Sequence, residues 1–265
     1  MTKILFFDKG GRKERISLIK KKKAPKDFIQ GLDMLIAKGY DIEHNSSSRK
    51  YKKGLLISLG KLIEQFFSKL SNIGIRPVSV HLFKEKINNS DFIISLTDGF
   101  SMSLGFYYYF IDNKNKIKIA GAFHKLSDYD SNLPAILKIF YYKIIKKILE
   151  RLDYIIFYGE ADRLNSIKHF NLKKEKTYII KFGVDIDFWI PHKYNYFNSN
   201  YLFSIGQDPA RDFNTLLNVK TSKKIHIHTS LLEPIDNKNF KITNGSYHKY
   251  QKKFTDYKIK VLYQK

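Results

Sequence analysis

The fold of this chain is decided by three neighbouring segments: DYIIFYGEADRL at residues 153–164, KTYIIKFGVDIDFWIP at 176–191 and YLFSIGQDPARDFNTLL at 201–217. The first and third begin with a short apolar run that leads through a glycine into a helical pattern. Such a run is typical of a strand that ends at the carboxyl edge of a parallel sheet. The second segment, with its aromatic pair and proline, lies between these two units.

The residues before this stretch alternate between apolar strands and amphipathic helices. We predict strands at Lys3–Asp8, Tyr40–Glu43, Asp91–Leu96, Lys116–Ala120 and Tyr154–Tyr158, and helices at Asp27–Ala37, Leu55–Leu70, Gly99–Phe110 and Pro134–Leu152. The alternation favours a doubly wound parallel sheet. The predicted fold class is α/β with two Rossmann-like domains, an N-terminal domain at residues 1–195 and an incomplete C-terminal domain at residues 196–265.

The second unit restarts the pattern after the turn-rich stretch 194–200. It is predicted to contain a helix from about Asp212 and strands from Tyr201, at Lys224–His228, at Asn239–Thr243 and at Ile259–Tyr263.

Lysines flank broad apolar stripes on two predicted helices, Lys53–Leu70 and Pro134–Leu152. The apolar face of the second helix is predicted to consist of Leu137, Phe140, Tyr141, Ile144, Ile148 and Leu152. Both helices are expected to include a membrane-facing surface, with ordinary packing against the sheet as the alternative for the second.

The chain has 265 residues, no cysteine and a formal net charge of +23. The lack of cysteine excludes disulfide bonds and cysteine-ligated zinc. The charge has three explanations: neutralisation of nucleic-acid phosphates, docking on an anionic membrane, or a lysine-rich composition without a function of its own. Nucleic-acid binding is disfavoured, because the lysines are spread along the chain and no nucleic-acid-binding motif occurs.

Targeting and spanning signals are missing from the sequence. The apolar run at the amino terminus, Ile4–Phe7, is too short for a secretory signal. No run approaches the roughly 20 apolar residues of a membrane-spanning helix. We therefore expect a cytoplasmic protein, either free or peripheral on the inner face of the membrane.

The segment FGVDIDFWIP at 182–191 resembles the exit from the N-terminal domain of GT-B glycosyltransferases of the large retaining family 4. The positions that match the family pattern are Gly183, Val184, Asp185, Phe188, Trp189 and Pro191. The resemblance implies two Rossmann-like domains that face a cleft. It also implies that the aromatic residues pack the interdomain seam and that Gly183 and Asp185 approach the cleft.

The segment SIGQDPARDFNTLL at 204–217 resembles the first strand and helix of the donor-binding domain of this family. Gly206 and Arg211 match the family's glycine and second basic residue, whereas Gln207 stands where an arginine is common. The resemblance implies that Arg211 and the N-terminus of the following helix hold the donor diphosphate. Gly10 and Gly11, which follow the first strand, would let the backbone approach it.

His124 follows a predicted strand, at a position where family 4 enzymes often carry a histidine facing the reacting sugar. The resemblance implies a catalytic role, and the alternative is a structural histidine. Asp98 also ends a strand, so it is a candidate for the cleft edge or for a turn. Two further histidines, His226 and His228, share a strand face without a third ligand at suitable spacing, so no metal site is predicted.

The function implied by the resemblance is transfer of a sugar from a nucleotide-sugar to a cell-envelope glycan or lipid-linked acceptor, as in polysaccharide biosynthesis, without a cofactor. In the family, an acidic donor-binding loop and a closing helix come after the part that resembles residues 244–264. The alternative is therefore a truncated, non-catalytic remnant or a subunit that needs a partner chain, which would transfer sugar poorly by itself. A basic nucleic-acid-binding protein is the least favoured class.

Overall fold

The structure is a computed structural model of the chain, and it describes residues 1–7, 12–29, 31–45, 58–62, 64–65, 68, 74–110, 117–129, 135–190, 200–208, 211–244 and 259. The chain divides into two compact units. Unit 1 comprises Met1–Ser17 and Asp27–Gly183, and unit 2 comprises Leu18–Lys26 and Val184–Lys265. The predicted domain boundary after residue 195 lies outside the described residues and stays a prediction.

The described residues of unit 1 form six strands: β1 Lys3–Phe7, β2 Asp41–His44, β3 Phe92–Ser95, β4 Lys118–Phe123, β5 Tyr154–Phe157 and β6 Thr177–Ile179. They form one sheet in the order β2-β1-β3-β4-β5-β6, with every pair parallel. The strand order reverses beside β1, which makes a doubly wound sheet whose carboxyl edge is the usual place for a ligand. The predicted parallel sheet is confirmed.

The helices of the described chain up to Phe170 are α1 Arg12–Lys20, α2 Leu32–Ala37, α3 Pro77–His81, α4 Lys84–Asn88, α5 Asp98–Phe110, α6 Ala135–Glu150 and α7 Glu160–Phe170. Residues 58–62 are also helical, and 3₁₀ turns lie at Lys26–Ile29, Leu126–Asp128 and Lys174–Lys176. Side chains of α5 and α6 form one core with alternate residues of β1, β3, β4 and β5. The remaining residues of β4 and β5 pack on the opposite face. Burial on both faces explains why these strands are almost continuously apolar.

The helix predicted over Asp27–Ala37 is interrupted in the structure. Residues Lys26–Ile29 form a 3₁₀ turn, and α2 begins at Leu32. Between them Gly31 has a φ of +81°, in the left-handed region that glycine adopts without strain. The prediction was wrong there because apolar spacing alone does not register a backbone reversal.

The apolar face predicted for α6 is partly wrong. Ile148 and Leu152 are fully buried, but Phe140 is 63% exposed and Ile144 is 46% exposed. This helix carries apolar residues around most of its circumference, so a period of 3.6 residues fits more than one stripe. Packing selects the stripe with Ile145, Ile148 and Leu149, and leaves an exposed stripe of Ile136, Ile139, Phe140 and Ile144. Among the described residues, no helix combines the length and apolar character needed to cross a bilayer.

Gly105 of α5 lies directly against Ile148 of α6. A Cβ at this position would lie 2.5 Å from the carbonyl oxygen and 2.7 Å from Cγ2 of Ile148. Since the oxygen belongs to the backbone, the two helices would have to separate. We expect Gly105→Ala to reduce the free energy of unfolding by about 1–3 kcal/mol, an overpacking effect that exceeds the roughly 1 kcal/mol gain in helix propensity.

Urea denaturation of the purified chain measures this difference. Gly159→Ala is the matched control, because a Cβ there meets no atom within 4 Å. Equal stability of the Gly105→Ala variant and wild type would show that the helices do not touch at this point.

Unit 2 contains the strands β7 Tyr201–Ile205, β8 Lys224–Thr229, β9 Ile235–Asp236 and β10 Phe240–Asn244, and the helix α8 Phe213–Leu217. The sheet order is β7-β8-β10-β9, in which β9 is antiparallel and the other pairs are parallel. The core comprises Phe213, Ile225, Ile227 and Ile242. The predicted α/β class with two Rossmann-like units is confirmed. Of the strand predicted at Ile259–Tyr263, only Ile259 is described, and it is helical.

Candidate functional site

Asp98 and His124 meet at the carboxyl edge of the sheet in unit 1. Asp98 is the first residue of α5, and His124 directly follows β4. One carboxylate oxygen, Oδ1, lies 2.7 Å from Nδ1 of the His124 ring, and the other, Oδ2, accepts the His124 backbone N–H at 2.9 Å. The two residues predicted separately therefore form a bidentate pair. This pairing holds both the ring and its backbone in place.

The charge of this pair follows from its hydrogen bonds. Burial raises the pKa of the Asp98 carboxyl, but hydrogen bonds from the His124 ring, the Tyr129 hydroxyl and the His124 N–H outweigh it, so the pKa lies below its ordinary value. An ionised carboxylate can only accept, so Nδ1 of His124 carries a proton and donates it to Asp98. In the neutral ring, Nε2 is then an acceptor.

Nε2 is the atom through which this pair can act on a ligand. The His124 side chain is 43% exposed, whereas that of Asp98 is 14% exposed. No described residue forms a hydrogen bond with Nε2. A histidine oriented by a carboxylate and open at its other nitrogen is the arrangement of a general base.

Two further side chains, Tyr129 and Asp162, support the pair, and no sequence pattern predicted either of them. Burial, followed by the charge of Asp98, raises the pKa of the Tyr129 hydroxyl far above its usual range, so this hydroxyl donates to Asp98. The turn before Tyr129 is held by Asp162 of α7, whose Oδ1 accepts from the backbone N–H of Ser127 at 3.2 Å and from its hydroxyl at 3.0 Å. Tyr129 lies after a turn and Asp162 lies inside a helix, and neither position is marked by a sequence motif.

Two aromatic rings lie beside His124 at the same edge. Tyr158 directly follows β5, and its ring centroid is 4.5 Å from that of His124. Phe182, three residues after β6, stacks on Tyr158 at 4.2 Å with an interplanar angle of 14°. The Phe182 side chain is 59% exposed. An exposed aromatic surface thus continues from the histidine ring.

In unit 2, Gly206 follows β7 at the carboxyl edge of the second sheet. A Cβ at Gly206 would overlap the Nε and Cδ atoms of Arg211, so the arginine side chain lies directly over this glycine. From the sequence alone, an ion pair of Arg211 with Asp208 or Asp212 is the alternative to binding of the diphosphate. Within the described residues the guanidinium forms no ion pair, and it is an exposed cation at a strand end.

The helix after Arg211 is a weaker anion site than the resemblance implies. Asp212 caps α8: its Oδ1 accepts the backbone N–H of Thr215 at 2.9 Å, and its Oδ2 accepts the Thr215 hydroxyl at 2.6 Å. These bonds lower the pKa of Asp212. A carboxylate therefore already occupies the end of α8 that would face a phosphate, which leaves Arg211 as the main candidate group for the diphosphate.

No protein-family profile matches the sequence, and no curated protein matches it either. Among solved structures, the chain is similar to the crystal structure of Anabaena Alr3699/HepE in complex with UDP and glucose, with a TM-score of 0.44 and 12% sequence identity. The similarity covers 86% of this chain and 61% of that chain, so this chain spans less than two thirds of the HepE length. A similarity at this level carries no argument about function.

The other predicted site residues have different positions. Gly10 and Gly11 lie outside the described residues. Asp185 accepts the backbone N–H groups of Lys26 at 2.8 Å and Phe188 at 3.1 Å, one through each carboxylate oxygen, so turn formation accounts for an aspartate here. Gly183 is exposed, as is Gln207. The roles of these residues at a ligand remain predictions.

His226 and His228 lie on one face of β8, as their alternation predicts. The Nδ1 atom of His228 is 2.8 Å from the Thr243 hydroxyl, and Nε2 of His226 is 3.4 Å from the same oxygen. Burial, followed by the charge of Lys241, lowers the pKa of His226. No group of three metal-binding side chains occurs within the described parts of the chain.

Proposed function

We propose that this chain transfers a sugar from a nucleotide-activated donor to a cell-envelope glycan or lipid-linked acceptor. The observation that carries the proposal is the Asp98–His124 pair at the carboxyl edge of a doubly wound sheet, where this architecture binds ligands. Glycosyl transfer to a hydroxyl group needs a group that accepts the hydroxyl proton. His124 has the geometry for this role.

In the proposed step, the acceptor oxygen bonds to the anomeric carbon of the donor while the bond from that carbon to the diphosphate breaks. The hydroxyl proton passes to Nε2 of His124, and the diphosphate leaves with the electron pair. The ionised Asp98 stabilises the imidazolium that forms, because a neighbouring negative charge favours the protonated ring.

Arg211 is proposed to bind the donor diphosphate. An arginine can donate two parallel hydrogen bonds to phosphate oxygens, and its charge opposes the charge that develops on the leaving group. The Gly206 position supports this role, because any larger residue would push the guanidinium away from the strand end. Contributions of Gln207, Gly10 and Gly11 are part of the same proposal.

Nucleotide release by the purified chain tests the proposed function. UDP-, GDP- and ADP-sugars are supplied with a mixture of glycan and prenyl-phosphate acceptors, and the freed nucleoside diphosphate is quantified. We expect release from at least one donor, dependent on the acceptor and lost in His124→Gln. If no donor is consumed, or if His124→Gln is as active as wild type, the proposed chemistry is wrong.

A peripheral membrane location is a further part of the proposal. The exposed stripe of α6, made of Ile136, Ile139, Phe140 and Ile144, is interspersed with the exposed Lys143 and Lys147. Apolar side chains can enter the interfacial region of a bilayer while lysines contact anionic headgroups. Charge complementarity therefore favours an anionic lipid surface.

Reversal of these two charges should weaken vesicle binding. Each lysine near an anionic surface contributes about 1 kcal/mol, so Lys143→Glu with Lys147→Glu is expected to reduce binding by roughly 30-fold or more. Sedimentation with phosphatidylglycerol-containing vesicles measures this effect. The matched control is Lys168→Glu with Lys173→Glu, two exposed lysines elsewhere. Equal losses in both double variants, or equal binding to neutral vesicles, would contradict docking through α6.

A further inference from the structure

We infer that the ring cluster of His124, Tyr158 and Phe182 is the binding platform for a sugar ring, which makes the acceptor a carbohydrate at its reactive end. This inference rests on the proposed function for the role of His124. It goes further by assigning the acceptor class and two residues, Tyr158 and Phe182, that no motif of the sequence assigned to a ligand.

The geometry of the cluster carries the first step. Three consecutive strands, β4, β5 and β6, each contribute one ring at the same edge of the sheet. Tyr158 stacks on Phe182 and covers one face of the phenylalanine ring. His124 lies 6.1 Å from Phe182 between ring centroids, inclined at 35°. The rings therefore form a continuous surface rather than separate contacts.

The exposure of Phe182 carries the second step. Phe182 is 59% exposed, and unlike Ile180, which is 53% exposed in the same segment, it is stacked beside the histidine. It also lies outside the core clusters of unit 1, whose described members face the helices or the opposite side of the sheet. Its free surface is therefore available to a ligand beside the histidine.

The chemistry of the surface selects the ligand. A pyranose ring has a flat face of C–H groups that packs on an aromatic ring, and a rim of hydroxyl groups that needs polar partners. Both requirements are met within the cluster, since Phe182 and Tyr158 supply the apolar face and Nε2 of His124 can accept from a hydroxyl. A prenyl alcohol could pack its chain on the same surface, but it has no flat ring face and only one hydroxyl group, so it matches the cluster less well than a pyranose does.

Saturation-transfer NMR on the full chain tests the inference without any nucleotide-sugar. The probes are the methyl glycosides of glucose, galactose, mannose and N-acetylglucosamine, with prenol and uridine as competing chemistries. We expect transfer to the C–H face of at least one glycoside. In Phe182→Ala the affinity should fall about tenfold, which corresponds to a stacking contribution of about 1.4 kcal/mol, while Phe182→Trp should retain the signal.

The matched control is Ile180→Ala, which truncates an equally exposed apolar side chain in the same segment, at 53% exposure, and should leave the signal unchanged. The circular dichroism spectrum and thermal unfolding midpoint of Phe182→Ala, compared with those of wild type, show whether a loss of signal reflects a loss of folding. The inference is overturned if no glycoside binds, if Phe182→Ala binds as well as wild type, or if prenol or uridine alone responds.

The outcomes separate this inference from the proposed function. If glycosides bind in a Phe182-dependent way but no nucleotide-sugar is consumed, the sugar-binding role of the ring cluster stands and the proposed transfer reaction is wrong. Acceptor-dependent turnover without Phe182-dependent glycoside binding would retain the transferase and reject the platform.

Discussion

Asp98→Asn is expected to lower the turnover of the proposed transfer reaction by roughly 10²–10⁴-fold, the range that a general base contributes. The substitution preserves the shape of the side chain at the start of α5 but removes its charge. An asparagine amide can also donate to Nδ1 of His124, which would place the ring proton on Nε2 and leave no base. His124→Gln should show a loss of the same order, because the two residues act as one unit.

The matched control for this prediction is Asp153→Asn. Asp153 directly precedes β5, and like Asp98 it accepts a backbone N–H, that of Ile119 at 2.9 Å, but it does so at the amino edge of β4 and β5. It should change turnover little. Comparable losses in both variants would mean that the effect is structural.

The depressed pKa of Asp98 also has a consequence for stability. Because the pKa is lower in the folded protein than in the unfolded chain, the pairing stabilises the fold at pH values above the ordinary aspartate pKa of about 4. That contribution is lost as the pH falls through the folded pKa. The difference in unfolding free energy between wild type and Asp98→Asn should therefore shrink below about pH 4, as denaturant titrations at several pH values can measure.

The strands β1, β3, β4 and β5 could be predicted because a sheet buried on both faces requires nearly continuous apolar runs. Helical faces were less predictable. In α6, apolar side chains occur on nearly all sides, and the contact at Gly105 decides which of them are buried. A local sequence pattern cannot predict which face is buried, since the contact joins Gly105 to Ile148, 43 residues further along the chain.

The candidate site was also predictable only in part. Asp98 and His124 were both predicted as strand-end residues, but their contact follows from the adjacency of β3 and β4, which the sequence does not state. Tyr129 and Asp162 act through a turn and a neighbouring helix, and so their roles depend on tertiary packing. Phe182 was interpreted within a family motif, whereas its stacking on Tyr158 depends on the pairing of β5 and β6.

Arg211→Ala is expected to weaken binding of the free nucleoside diphosphate by roughly 10- to 150-fold. A hydrogen bond to a charged group contributes about 1.5–3 kcal/mol, and each 1.4 kcal/mol is a factor of ten in the dissociation constant. The prediction concerns arginine in particular, because Asp212 already occupies the N-terminus of α8 and cannot be replaced there by phosphate without losing its bonds to Thr215. Arg211→Lys should recover only part of the affinity. Lysine keeps the positive charge, but it lacks the planar group that donates two parallel hydrogen bonds to phosphate.

Gly206→Ala tests the same geometry without removing the charge. The added Cβ would displace the Arg211 side chain, which is flexible, so folding should be little affected while nucleotide affinity falls in the direction of Arg211→Ala. Calorimetric titration with UDP, GDP and ADP measures both variants. Lys223→Ala, which removes a half-buried cation at the amino edge of β8, and Gly159→Ala, which adds a methyl group in open space, are the controls. If Arg211→Ala binds as wild type does, or if Lys223→Ala is weakened equally, the diphosphate is not held at this strand end.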